Sequence, residues 1–250
     1  MESPAETSIQ KQRILPDGCM EMIFHYGDLY RQYNEDGSCI VQPRCFVFGQ
    51  ITHFLEIEPT GSTAIFAVRF YPEGFIPFAT LPLKEMENKA LSLNKLFGEE
   101  GTHLEELVVS ATNTAERIGL VEKFLDHQRV NTQYADQVVK ATVGLIMDVK
   151  GQYSVDQLSQ KLNIHRRQLE RKCSRVVGLS PKQLAKIIRL QYVFLALKNN
   201  QNTPLTSIAQ DGDYYDQAHF IKDFKEFTGI SPKQFFPDNL KMAGLFYGDD

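Results

Sequence analysis

The 250-residue sequence has only four cysteines, Cys19, Cys39, Cys45 and Cys173, and no two of them form a Cys-x-x-Cys pair. The expectation is buried or idle thiols of a reducing compartment. No run of eighteen apolar residues occurs, so no membrane-spanning helix is expected. The opening, MESPAETSIQKQRILPDG, lacks a basic segment followed by an apolar one, so a secretory signal is not expected and a cytoplasmic location is. No Ser-His-Asp pattern, glycine-rich phosphate loop or His-Glu-x-x-His is present. His25 and His53 stand apart, and His53 with Glu56 and Glu58 falls short of the His-x-His spacing that lets adjacent strand positions hold one metal. The expectation is therefore no catalytic residues, no metal and no cofactor.

What is present is ordinary in bulk and uneven along the chain. Hydrophobic residues make up 42% and charged residues 23%, as in a globular protein of one large or two ordinary domains. The formal net charge is −4. Residues 151–236 nevertheless carry 13 Lys plus Arg against 7 Asp plus Glu, while residues 1–150 carry 13 against 21. A basic stretch on an acidic chain suggests a local polyanion partner; a solvated charged face is the plainer alternative.

The basic stretch repeats itself. "GLSPKQLA" at Gly178–Ala185 returns as "GISPKQFF" at Gly229–Phe236, an offset of 51 that also lays Leu169 on Phe220 and Cys173 on Phe224. Upstream the offset becomes 50, so Val155 matches Leu205 and Leu158 matches Ile208. Each copy reads as helix, tight turn, helix. In the first, Ser154 caps a short helix with Val155, Leu158 and Leu162 inward. Asn163 and Ile164 make the turn, and His165 opens a second helix that ends near Gly178. Leu169, Cys173 and Val176 share one face of it, and at about 100° per residue Arg167, Glu170, Arg171 and Ser174 fall on the other. In the second copy Pro204 starts the short helix and Asp216 is an N-cap candidate. Phe220, Phe224 and Phe227 face inward; Ala218, Ile221, Lys222 and Lys225 face outward. Each Gly-x-Ser-Pro phrase stops one helix and restarts the next. Two short helices at a tight turn can set the second in a DNA major groove.

The segment from about Tyr153 to Phe236 resembles the C-terminal DNA-binding domain of AraC-type (AraC/XylS) transcription regulators, most specifically in "YYDQAHFIKDFKEFTGISPKQF". The resemblance implies two helix-turn-helix units joined by a long helix, here Ser180 to Asn199, about 30 Å long and bearing the family's arginine at Arg189. It implies contacts to double-stranded DNA from Arg166, Arg167, Glu170, Arg171 and Ser174 in the first unit. In the second it implies Gln217, Ala218, Ile221, Lys222 and Lys225. It adds RNA polymerase, a small-molecule effector of unknown identity and a second copy of the chain as partners. Two departures stand out. Asp213 precedes Tyr214 where the family has glycine, and Cys173 replaces a phenylalanine.

The remainder is read more coarsely. "EMIFHY", "CIVQPRCFVFG", "HFLEIEP" and "TAIFAVRFYP", punctuated by Asp-Gly, Pro and Thr-Gly, have the composition of strands in a small barrel or sandwich. In AraC-type proteins this position holds a cupin-like effector-binding barrel, which "PDGCMEMIF" and "FAVRFYPEGF" resemble. Phe46, Phe48, Phe66, Phe70 and Phe75 line either a ligand site or, as the better expectation, the core. Leu104, Leu107, Val108, Ile118, Val121 and Leu125 recur at helical spacing, suited to dimerisation or to packing on the barrel. Gln133 to Lys150 is a further amphipathic helix. The expected fold class is α+β, with a sensor and dimerisation domain over 1–130 and a DNA-binding domain over 131–238. Two rivals remain open: an enzyme such as a repair methyltransferase with an appended DNA-targeting domain, and a small-molecule-binding protein with a vestigial one.

Overall fold

The computed structural model describes residues 11–34, 37–129, 136–199, 214 and 217–235. Eight short strands come first: β1 (Gln12–Ile14), β2 (Met20–His25), β3 (Tyr30–Tyr33), β4 (Cys39–Val41), β5 (Cys45–Phe48), β6 (Leu55–Pro59), β7 (Ile65–Phe70) and β8 (Ala90–Ser92). They form two four-stranded antiparallel sheets, in the orders β1-β6-β3-β4 and β7-β2-β5-β8. The expected run "CIVQPRCFVFG" is two strands, not one. β4 pairs with β3 in one sheet and β5 with β2 in the other. Gln42-Pro43-Arg44 carries the chain between them, and Pro43 has no N–H to continue a ladder. Strands β1, β3 and β8 were not among the expected runs. They are three or four residues long, and β1 and β3 are mostly polar, so they carry little hydrophobic signal.

The sheets enclose a polar interior. His25 is 1% exposed and lies between the rings of Tyr30 and Phe46, at centroid distances of 5.6 and 5.7 Å. Tyr30 Oη and Thr63 Oγ1 are 3.0 Å apart, and Gln42 Nε2 donates to Gln32 Oε1 at 3.3 Å. Neither His25 nitrogen has a well-formed hydrogen bond among the described residues. Of the five phenylalanines singled out, Phe46, Phe48, Phe70 and Phe75 are buried, and Phe66 is partly buried against the core that holds Phe70 and Phe75.

Helices α1 (Leu93–Ser110) and α2 (Thr114–His127) pack on the second sheet and bury Leu104, Val108 and Val121. Leu107 and Ile118 stay exposed at 37% and 44%. Next come α3 (Gln137–Asp148), α4 (Val155–Lys161), α5 (Arg166–Val177), α6 (Pro181–Asn199), α7 (Gln217–Thr228) and α8 (Pro232–Phe235). Helix α3 is shorter than the Gln133–Lys150 expected. Asp136 caps it, accepting from the Val138 N–H, and residues 130–135 lie outside the described set. Val143, Leu158, Leu169, Ile188, Phe220 and Phe224 belong to one continuous core beneath these helices.

Burial drives the His25 imidazole down to about 4, with the Arg44 cation adding to the shift and the nearby Gln42 amide opposing it. The folded protein therefore holds His25 neutral where the unfolded chain, at the ordinary histidine value of 6.5, takes a proton. Stability contributed by the neutral ring is full above pH 6.5 and falls as pH drops toward 4, by about 1.4 kcal/mol per pH unit. Urea unfolding at pH 7.0 and 5.0 should show this loss in the wild-type chain, and a smaller loss in His25→Phe.

Candidate nucleic-acid interface

The first helix-turn-helix unit is built by local chemistry. Ser154 Oγ accepts from the Gln157 N–H at 3.3 Å, and Gln157 Oε1 accepts from the Ser154 N–H at 2.8 Å, a complete capping box on α4. Asn163 takes a φ of 48° in the turn, and the Ile164 N–H donates back to Ser159 O at 3.1 Å. Ser159 Oγ donates to the Ile164 carbonyl at 2.5 Å, closing the turn from both sides. Helix α5 then runs to Gly178, which stops it in the left-handed conformation. Leu169, Cys173, Val176 and Val177 are buried.

The outward face is cationic. Arg167 and Arg171 are exposed and have no ion pair or hydrogen-bond partner among the described residues. Arg166 is engaged instead. Its Nη1 lies 3.1 Å from Asp156 Oδ1 on α4, and its Nε 3.1 Å from Glu170 Oε1 one turn along α5. Arg166 and Glu170 thus brace the angle between α4 and α5, and both Glu170 and Ser174 are half-buried. The inner end of α5 is tied elsewhere. Lys172 Nζ reaches Asp136 Oδ2 at 2.5 Å, and Arg175 Nη2 lies 3.8 Å from the same oxygen. Burial alone would raise the Asp136 carboxyl. Lys172 and the Val138 and Val139 amides outweigh that and hold it below the usual range.

In the second unit, Phe220, Phe224 and Phe227 are buried, as the repeat predicts. Gln217, Ala218, Ile221, Lys222 and Lys225 are exposed on α7. Its short first helix around Pro204–Ile208, the turn with Gly212 and Asp213, and the N-cap candidate Asp216 lie outside the described residues.

Helix α6 joins the units. Ser180 caps it reciprocally with Gln183, whose Oε1 accepts from the Ser180 N–H at 3.1 Å while Ser180 Oγ accepts from the Gln183 N–H at 3.2 Å. Arg189 donates from Nη2 to the Gly151 carbonyl at 2.7 Å, just before α4, and its guanidinium lies 5.3 Å from the Tyr214 ring centroid. Lys186 Nζ bridges Asp223 Oδ1 and Glu226 Oε2 of α7, both at 3.0 Å. Asp223 is 3% exposed, and His219 Nε2 stands 3.5 Å from its second oxygen. Sequence reasoning missed this buried carboxylate. One charged residue on the inner face beside three phenylalanines was the available signal.

Asp136 combines a helix cap with two cations of α5. Asp136→Ala should therefore cost about 1–2 kcal/mol at pH 7, the upper range for loss of an N-cap. Because the folded carboxyl is held below 3.8, that deficit should shrink as pH falls through and below this value. Chemical unfolding of the two proteins at pH 7 and pH 3 measures it.

Comparison with known proteins gives the site its context. Residues 158–237 match a family described as a helix-turn-helix domain. Residues 1–92 match a domain of unknown function, DUF6597. An uncharacterised HTH-type transcriptional regulator of Haemophilus influenzae is 28% identical over 111 residues, 44% of this chain and 34% of that protein. The HTH-type transcriptional regulator MtrA of Neisseria gonorrhoeae is 33% identical over 84 residues, 34% of this chain and 28% of that protein. The chain thus matches about a third of the length of these relatives. ToxT from Vibrio cholerae O395, bound to (E)-4-(8-methylnaphthalen-1-yl)but-3-enoic acid, superposes over 95% of this chain and 96% of its own with a TM-score of 0.50 at 14% identity, a likeness of fold. Residues 158–237 are a helix-turn-helix domain, and the chain resembles the AraC-type transcription regulators.

Proposed function

We propose that the protein is a sequence-specific regulator that reads double-stranded DNA with α5 and α7 and is controlled by an effector at its β region. The observation that carries this reading is the exposed pair Arg167 and Arg171 on the outer face of the second helix of a fully formed helix-turn-helix. A guanidinium in the major groove can bond to guanine O6 and N7 together. Arg166 and Glu170, already bonded to each other, hold α5 at its angle. Ser174, half-buried farther along α5, suits a phosphate contact. In the second unit Ala218 and Ile221 offer no hydrogen bonds and suit thymine methyls, while Gln217, Lys222 and Lys225 serve a base edge and phosphates. The boundary belongs near residues 130–131, between the two hydrophobic cores, and the reading helices lie within 131–238.

The effector reading rests on a cleft of about 490 Å³ in the β region, lined by Gln32, Tyr33, Phe48, His53, Phe54 and Glu56 among others. Its volume suits a small molecule. Among the described residues no lysine or arginine lines it directly, while Arg13 bonds to Glu56 and Lys11 lies over the Tyr33 ring, so the lining charge is balanced and a neutral ligand fits it best. RNA polymerase, and a second copy of the chain meeting through the exposed Leu107 and Ile118, complete the partners of this proposal.

Three of the four thiols, Cys19, Cys45 and Cys173, fit a regulator better than a cysteine-based repair enzyme. Burial raises Cys19 to about 11, with the Asp17 carboxylate adding to it, and burial raises Cys45 and Cys173 to about 12. A nucleophilic thiol needs the opposite shift.

Arg167→Ala should weaken binding to a duplex selected from a random library by about 1–3 kcal/mol and relax preference at one base position. Fluorescence anisotropy on the selected duplex and its single-base variants measures both. An equal loss on every sequence would make Arg167 a phosphate contact. Lys222→Ala should flatten the salt dependence of binding more than it alters sequence preference, and Arg171→Ala should do the reverse.

A further inference from the structure

The two Gly-x-Ser-Pro turns do more than stop helices: both are seated on the β region. Gly178 has a φ of 84°, and a Cβ placed on it would come within 3.2 Å of Leu83 Cβ and 3.3 Å of Leu83 O, in the short 3-10 turn Leu83–Met86. Gly229 has a φ of 77°, and a Cβ there would come within 2.4 Å of the Phe54 ring. The second seat is also polar. Arg13 on β1 donates from Nη1 to the Thr228 carbonyl at 2.9 Å and from Nε to Glu56 Oε1 at 3.0 Å, with its guanidinium 4.6 Å from the Phe54 centroid. A third seat lies between them. The Gly18 loop packs against Leu184 and Ile188 of α6, and Gln191 donates to the Pro16 carbonyl.

The β region therefore grips the C-terminal end of each reading helix and the middle of the helix that joins them. The first residues of α5 and α7 lie at the other ends of these twelve-residue helices, about 18 Å away. We infer that Phe54, Arg13 and Leu83 fix the separation and relative twist of the two reading helices, and so determine which base-pair spacing between two half-sites the chain accepts. These are positioning residues that touch no DNA. The inference rests on the proposed DNA reading.

The physical basis is the stiffness of the arrangement set against the pitch of DNA. One inserted base pair moves the second groove segment by about 3.4 Å and turns it by about 34°. Helix α6 alone could follow by rotating α7 about the Lys186 contacts and the Phe194–Phe224 contact, whose ring centroids are 5.5 Å apart. With Gly229 pressed on Phe54 and Thr228 held by Arg13, α7 cannot turn without leaving its seat. The glycines themselves are poor probes, because any side chain at a φ near +80° strains the backbone whatever it touches. The partners across the seat are the better ones.

The test uses the full chain and the duplex that the wild-type chain selects from a randomised library. Companion duplexes carry one or two base pairs inserted or deleted between the two protected segments. Wild type should lose at least about tenfold in affinity for each one-base-pair change. Leu83→Ala and Arg13→Gln should bind the selected spacing within about tenfold of wild type but discriminate among spacings by no more than about threefold. Leu83→Met should keep wild-type discrimination. Arg13 is partly exposed, so its variant stays informative if Leu83→Ala fails to fold by circular dichroism. Spacing preferences in both folded variants equal to wild type would overturn the inference, as would a wild-type chain indifferent to spacing. A wild-type chain that selects no duplex would overturn the DNA reading itself.

Discussion

The helical region depends on one side chain that holds two places at once. Arg189 sits near the middle of α6 and gives its guanidinium to the Gly151 carbonyl on one side and lies by the Tyr214 ring on the other. A carbonyl at the end of a turn has no helical partner, so a charged donor there contributes more than an ordinary hydrogen bond. The same group fixes the entry to α4 and the residue that leads into α7. With Lys186 one turn earlier spanning Asp223 and Glu226, α6 carries both units on charged contacts, with apolar packing beneath. The resemblance marked Arg189 as a family residue; its bonds explain why that position takes a guanidinium and not an ammonium. Its planar fork serves a carbonyl and a ring together.

The β region has a different economy. Its strands are short, and between its sheets lie His25, Gln32, Gln42 and Tyr30, along with aromatic rings. A core meant only for stability would fill that space with aliphatic side chains. The His25 imidazole, held neutral with both nitrogens lacking a well-formed bond, shows that this interior gives up some stability. That polar interior lies beside the cleft bordered by Gln32, Tyr33 and Glu56, so the proposed effector site and the less stable part of the β region adjoin.

How legible all this was depends on the range of the interactions. The first helix-turn-helix was readable almost residue by residue, because its determinants are local: Ser154 with Gln157, Asn163 in the turn, Gly178 at the stop, Leu169, Cys173 and Val176 at helical spacing. The repeat doubled that information for α7. Strands β2, β6 and β7 were legible from their apolar content. β1, β3 and β8 were not, because they are only three or four residues long, and β1 and β8 are defined by partners far along the chain. "CIVQPRCFVFG" read as one run because β4 and β5 nearly touch in sequence while belonging to different sheets. The site was legible in its outline of arginines, but not in how they divide. No spacing rule tells that Arg166 is spent on Asp156 and Glu170 while Arg167 is left open. Nor could the sequence show that both Gly-x-Ser-Pro turns rest on the β region, since Leu83 and Phe54 are unremarkable in their own segments.

The bond from Arg13 to the Thr228 carbonyl joins residues 215 positions apart. Contacts of such separation form late, after the loop between them has been ordered. The capping boxes and α5 turns need only neighbours three or four residues away and can form at once. Strand β1 is made well before α7, so Arg13 cannot reach the Thr228 carbonyl until α7 exists. The seam between the two halves is then the last feature to mature during synthesis. Where unfolding retraces that order, the same seam parts first, and the chain passes through a state in which both cores are intact and α7 keeps its helical neighbours but has lost its hold on the β region.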